Sequence, residues 1–314
     1  VLQRAGLRVK VLDKGRGIGG RLATRRIRNG SLGQGVFDYG AQYFTVRDPR
    51  FRTWVDGWLE AGVATRWCTG FATEEGVLHG HGEPRYRGLV SNRGIGKHLA
   101  EDLDVQKGTR VVSISWDCGG WSARTEAGSL FHGGLLLLTP PVPQSLALLH
   151  ASGIVLPPVL DSRLRSVRYE SCLAVLALLR GPSAIPMPGG MWISGEPVAW
   201  LADNQQKGIS PEATAATIHA GPAFSRAHWD ADDHAVAGQL IAAAARWLGS
   251  EVVQYQVHRW RYSKPISFFG EPSLYLEKPG PLVFAGDAMV APRIEGAFLS
   301  GLSAAEAVLS RFGS

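Results

Sequence analysis

The sequence predicts a mixed α/β protein in which parallel strands are separated by the segments of a second, α+β domain. Three observations lead there. Residues 7–12 form a short apolar strand that runs into Asp13 and then into a glycine-rich turn. Residues 135–138 are four consecutive leucines that stop at Thr139-Pro140-Pro141, the pattern of a parallel strand covered on both faces. Residues 281–287 form a strand that closes on Gly286-Asp287 and leads into a helical run ending near Phe312.

The chain has 314 residues, 45% hydrophobic and 19% charged, which is globular rather than disordered. Its 33 Lys+Arg exceed 27 Asp+Glu, a net charge of +6, but no dense basic block points to nucleic acid. Cys68, Cys118 and Cys172 lie far apart, so neither a disulfide framework nor a CxxC metal site is expected, and the set suits a reducing, cytoplasmic setting. The longest apolar runs, 135–138 and 173–179, fall far short of the roughly 20 residues that span a bilayer. Residues 1–6 read as the last turn of a helix stopped at Gly6, so a strand and most of a helix are expected upstream of the sequence.

Gly15, Gly17 and Gly20 satisfy GxGxxG after a strand, and one reading is a dinucleotide fingerprint. Against it, the acid Asp13 precedes the glycines, and no long uninterrupted helix follows Gly20. In the second reading Asp13 is the acid that ends the next strand of such a sheet and holds a ribose hydroxyl. Residues 15–20 then form a nest of backbone N–H groups near a pyrophosphate, beside the Arg21 guanidinium.

The run 13–26 (DKGRGIGGRLATRR) with 37–45 (FDYGAQYFT) resembles the FAD-binding amine oxidase superfamily, and 37–51 resembles its renalase-like branch. The resemblance implies a glutathione-reductase-type, Rossmann-like FAD domain interleaved with an α+β substrate domain. The first strand and its GxGxxG loop would be missing. It divides the chain into 1–53, 97–156 and 280–314 for FAD, and 54–96 and 157–279 for substrate. The residues it assigns to FAD are Asp13, Lys14, Gly19, Gly20, Arg21, Gly40, Ala41, Gln42, Tyr43, Val111, Gly286, Asp287, Ile294, Glu295, Gly296 and Ala297. The helix after Asp287 would point its N-terminus at the flavin pyrimidine.

Further strands are expected at 109–115, 121–125 with 130–131, 171–180, 191–202 and 253–262, and a helix at 235–248. Residues 182–188 read as a proline loop and 230–233 as an acidic turn or helix cap. Alternation puts His258, Trp260 and Tyr262 on one strand face. That face reads equally as aromatic core, and His219 and Trp229 are read in the same way. By resemblance, Tyr43, Asn204, His258 and Trp260 shape the substrate pocket.

No GxSxG, HExxH or His/Asp/Glu cluster is present, and hydride transfer to a flavin needs none. The resemblance implies oxidation of dihydropyridine isomers of NAD(P)H, with oxygen as acceptor and hydrogen peroxide as product. The alternatives are an amine or isoprenoid substrate on the same fold, a non-catalytic remnant, and an NAD-binding protein.

Overall fold

The computed structural model describes residues 1–75, 78–79 and 82–313. The chain forms two compact units, both discontinuous: Val1–Ile18 with Leu99–Tyr169 and Lys264–Ser314, and Gly19–His98 with Glu170–Ser263. The functional division expected from sequence falls elsewhere. Residues 19–53 and 97–98 group with the second unit, and 157–169 and 264–279 with the first. Packing gives the reason. Ile27 and Phe37 of the hairpin Thr24–Asn29/Gly33–Asp38 share a core with Ala174, Leu176 and Leu178. Leu164 and Phe269, by contrast, are buried with Leu138, Leu149 and Phe284.

In the first unit, Gln3–Ala5 is a single 3₁₀ turn, stopped by Gly6 at φ 87° with its N–H on the Gln3 carbonyl. Lys10–Asp13 then pairs in parallel with Asp104–Lys107, so the strand is shorter than residues 7–12 suggested and ends on Asp13. Leu136–Leu138 runs parallel to Leu282–Phe284, whose other edge takes Leu274–Leu276 antiparallel. Val111–Asp117, Gly120–Thr125 and Leu130–Gly133 form the expected meander. The indole of Trp121 donates to the Pro281 carbonyl at 2.8 Å. The helix Ile294–Phe312 buries Ala304 and Val308 against Val283 and Ala285.

The second unit is built on a seven-stranded sheet, in the order Val252–Pro265, Tyr169–Leu179, Ala215–Ala220, Val198–Asp203, Gly190–Trp192, Phe71–Ala72 and Leu78–His79. Residues 173–179 are all buried, as a continuous apolar strand must be. The helix Asp233–Leu248 lays Val236, Leu240, Ala244 and Leu248 on this core at helical spacing. Asp232 caps it, accepting from the backbone N–H of His234 and Ala235, so the acidic turn at 230–233 is a helix start. The strand expected over 191–202 is instead a hairpin, Gly190–Trp192 with Val198–Asp203. The turn residues Ser194, Gly195 and Pro197 break it.

Candidate active site

The second unit carries a buried polar knot around Asp38, the last residue of the strand Gly33–Asp38. Its carboxylate accepts from Thr24 Oγ1 at 2.6 Å, from the Asn92 backbone N–H at 3.2 Å, and from Lys207 Nζ at 2.8 Å. The Asp38 and Lys207 side chains are both 0% exposed. Burial pushes the Lys207 ammonium below its ordinary range, and the Asp38 charge opposes that shift. Lys207 reaches inward because Asp203 winds the chain. Asp203 Oδ1 accepts from the backbone N–H of Gln205 and Gln206, and its carbonyl accepts from that of Lys207. Gly208, at φ 85°, ends the turn.

The knot grips the segment from Tyr39 to Tyr43. Lys207 Nζ also donates to the Gln42 carbonyl at 2.7 Å. Gln42 Nε2 donates to the carbonyls of Asp38 at 2.7 Å and Gly40 at 3.1 Å. Asn92 Nδ2 donates to the Ala41 carbonyl at 2.7 Å. The Ala41 N–H donates to the Arg21 carbonyl at 2.9 Å, and a Cβ on Gly40 would lie 2.0 Å from that same oxygen. Gln42 Oε1 is buried and makes no hydrogen bond among the described residues.

Asn204 is also part of this knot. Fully buried, it donates to the Ala215 carbonyl and Thr217 Oγ1 and accepts from the Asp38 N–H. The geometry makes it a support of the segment rather than a wall of a pocket.

His258 and Trp260 come together with Tyr39. The Trp260 ring stacks on Tyr39 with centroids 5.3 Å apart, and His258 stands edge-on to both, at 4.8 Å and 4.4 Å. The Arg25 guanidinium lies 4.9 Å over the Tyr39 ring. Burial, and then the charge of Arg25, lowers the His258 pKa to about 4. His219 Nε2 meets the Tyr39 carbonyl at 3.0 Å, and burial holds its pKa at about 4 as well. Both imidazoles are neutral at pH 7.

Tyr43 belongs to a second aromatic group with Phe71, Trp67 and Trp200, at 4.8, 6.5 and 6.0 Å between centroids. Arg85 lies 5.7 Å over Tyr43 and 5.1 Å over Phe71, and Lys207 Nζ lies 4.9 Å over Trp67. Burial raises the Tyr43 pKa, so its phenol stays protonated. Gly19 and Gly20 adopt φ 118° and 51°, a backbone that only glycine takes readily. Arg21 Nη1 donates to the carbonyls of Tyr262 and Ser263.

In the first unit, Asp13 Oδ1 accepts from the Gly15 N–H at 2.8 Å, and Lys14 Nζ donates to Gln144 Oε1 at 3.1 Å. Val111 opens its strand, half-buried. Gly286 follows the strand Leu282–Phe284 at φ 149°, its N–H on Ser300 Oγ of the C-terminal helix. Asp287 is 8% exposed, and Glu295, in the first helical turn with Ile294, Gly296 and Ala297, is 6% exposed. A Cβ on Gly296 would sit 2.3 Å from the Ala291 carbonyl, so this helix start needs glycine.

Sequence reasoning missed Lys207, Asp38, Asn92 and Arg85. The signal for Lys207 was faint: a lysine followed by glycine, three residues after Asn204. Among the described residues no group of three or more His, Cys, Asp or Glu side chains could hold a metal, and no helix is long and apolar enough to cross a membrane.

The family model for flavin-containing amine oxidoreductases matches residues 72–309, and that for an NAD(P)-binding Rossmann-like domain matches 1–58. A structure described as a protoporphyrinogen oxidase from Exiguobacterium sp. 255-15 aligns at TM-score 0.54 and 16% identity. That alignment covers 73% of this chain and 52% of the other, so the chain spans about half the length of that protein. An engineered putrescine oxidase aligns at TM-score 0.69, and the wild type bound to putrescine at 0.65. Both are 13% identical, with 99% of this chain and 95% of the other covered. At that identity the likeness establishes the Rossmann-like, amine-oxidase type of α/β fold.

Proposed function

Because the chain belongs to the flavin-containing amine oxidoreductases, we propose that it is an FAD-dependent oxidase of the renalase-like kind, acting on dihydropyridine isomers of NAD(P)H. FAD is the family's cofactor, and each unit, taken by itself, has residues that fit it. Asp13 ends a parallel strand, with one carboxylate oxygen on the Gly15 N–H and the other available to a ribose hydroxyl. Gln42 Oε1 is a buried acceptor that nothing among the described residues satisfies. Gly286, Asp287 and Gly296 frame a helix N-terminus suited to negative charge. When bound, FAD supplies a two-electron acceptor for hydride and passes the electrons to oxygen, giving hydrogen peroxide.

The observation that carries the substrate reading is the sign of the charge around the aromatic groups. Arg25 covers Tyr39, and Arg85 covers Tyr43 and Phe71. The carboxylate of Asp38 is consumed by Lys207. An alkylamine reaches an enzyme as a cation, and these charges oppose it. A dinucleotide brings anionic phosphates, which arginines bind well. The imidazoles of His219 and His258 are neutral at pH 7 and add no further charge. Tyr43, Trp67, Phe71 and Trp200 pack ring against ring into an apolar cluster that excludes water beneath Arg85.

The test is anaerobic addition of a mixture of NADH isomers to the FAD-loaded protein, followed at the flavin absorbance band. Bleaching by the minor isomers, with colour and peroxide returning in air, is the expected result. Bleaching by putrescine and not by any isomer would replace this reading with an amine oxidase.

A further inference from the structure

We propose that Gln42 is a fixed hydrogen-bond acceptor for an N–H of the bound flavin, and that the buried Lys207–Asp38 pair is the lock that aims it. The inference rests on the FAD reading above and adds two positioning residues to it. Gln42 is 8% exposed, and its amide is oriented unambiguously. Nε2 donates to two backbone carbonyls, those of Asp38 and Gly40, so a flipped amide would set its oxygen against both. Oε1 is therefore the atom left facing away, and it is buried without a partner among the described residues. An unpaired buried acceptor costs free energy unless a ligand supplies the donor.

The lock works through the backbone. Lys207 joins the Gln42 carbonyl to the Asp38 carboxylate, and the Asp38 carbonyl holds the Gln42 amide. Thr24, Asn92 and Thr217 then tie Asp38 to a neighbouring strand, a helix start and the seven-stranded sheet. A fully buried ion pair is a poor source of net stability, because desolvating both charges offsets their attraction. Its value lies in geometry. Two charge-assisted bonds from one ammonium allow the Gln42 backbone one position.

Three variants test this: Gln42→Met, Lys207→Met combined with Asp38→Asn, and the triple. The paired change removes both charges and leaves no lone buried ion. The readouts are the FAD dissociation constant, from titration of the apoprotein, and the flavin midpoint potential against a reference dye. Gln42→Met is expected to weaken FAD about tenfold, the loss of one hydrogen bond to a buried acceptor, and to shift the potential. The paired variant should move both quantities in the same direction, and the triple should add little, because lock and acceptor act as one unit.

Wild-type FAD affinity and potential in Gln42→Met would overturn the role of Gln42. A paired variant with a lowered melting temperature but unchanged FAD affinity and potential would overturn the lock. Should that variant not fold, Thr24→Val removes only one bond to Asp38 and should weaken FAD in the same direction. Wild-type protein that takes up no FAD would end this inference together with the proposed function. Wild type that binds FAD but is not bleached by NADH isomers would end only the substrate assignment.

Discussion

Trp260 holds Tyr39 twice: its ring stacks on the phenol at 5.3 Å, and its Nε1 donates to the Tyr39 carbonyl at 2.9 Å. The same carbonyl meets His219 Nε2 at 3.0 Å. Backbone and side chain of one residue at the start of the 39–43 segment are thus pinned by two strands of the seven-stranded sheet. Trp260→Phe keeps the stack and removes the hydrogen bond. It should cost about 1 kcal/mol in a urea melt. An unchanged midpoint would show that the bond contributes nothing net.

His219 makes stability depend on pH with a definite sign. Its unfolded imidazole takes a proton near 6.5, while the folded one resists until about 4. Between those values the unfolded chain binds more protons, so stability falls as pH falls and is level above the window. His258, also held at about 4, adds to the same slope. His219→Gln can keep the donor to Tyr39 and abolishes the titration. Between pH 7 and 5 the wild type should lose about 1–2 kcal/mol more than this variant. Parallel denaturation curves at the two pH values would refute the assignment.

Gly40 and Gly57 should respond in opposite ways to alanine. A Cβ at Gly40 would meet the Arg21 carbonyl at 2.0 Å and break the Ala41–Arg21 hydrogen bond, at a cost above about 2 kcal/mol, with FAD uptake impaired. Gly57 lies inside the helix Pro49–Glu60 with nothing within 4 Å of a built Cβ. Alanine there should raise stability by about 0.5–1 kcal/mol. Thermal melts of both variants check the pair.

The three cysteines should separate by reactivity. Cys118 is exposed in the turn between two meander strands. Burial pushes the Cys172 thiol up to about 12 and also raises Cys68. A disulfide reagent at pH 8 should find a single fast thiol in the native protein, and Cys118→Ser should remove that phase. A fast phase that survives the substitution would place the reactive thiol elsewhere.

Local signals in the sequence reached the strand ending at Asp13, the parallel strand at 136–138, the Gly286-Asp287 turn and the helix after it. Each is written in contiguous residues: apolar runs, a terminal acid, a glycine at a close approach. The association of Tyr39, His258 and Trp260 was half legible, since alternation placed the last two on one face and said nothing of what they meet. Lys207 was not legible, because a lysine in Asn-Gln-Gln-Lys-Gly reads as a solvated loop. Its burial depends on Asp38, 169 positions away. The boundary after Ile18 was hidden for a similar reason. The glycine turn reads as one loop, but the hairpin that follows is amphipathic, and its apolar face needs the sheet formed by residues 170–263.

The threading of the two units has a consequence for biosynthesis. The hairpin at 24–38 must wait for residues 170–220 to emerge from the ribosome before Ile27 and Phe37 find their neighbours. The strand Lys10–Asp13 finds its partner sooner, but the core around Leu138 and Phe284 closes only after Lys264–Ser314 is made. Neither unit can be completed from a contiguous nascent stretch. The chain therefore spends most of its translation with apolar strands exposed, in the state that holdase chaperones bind.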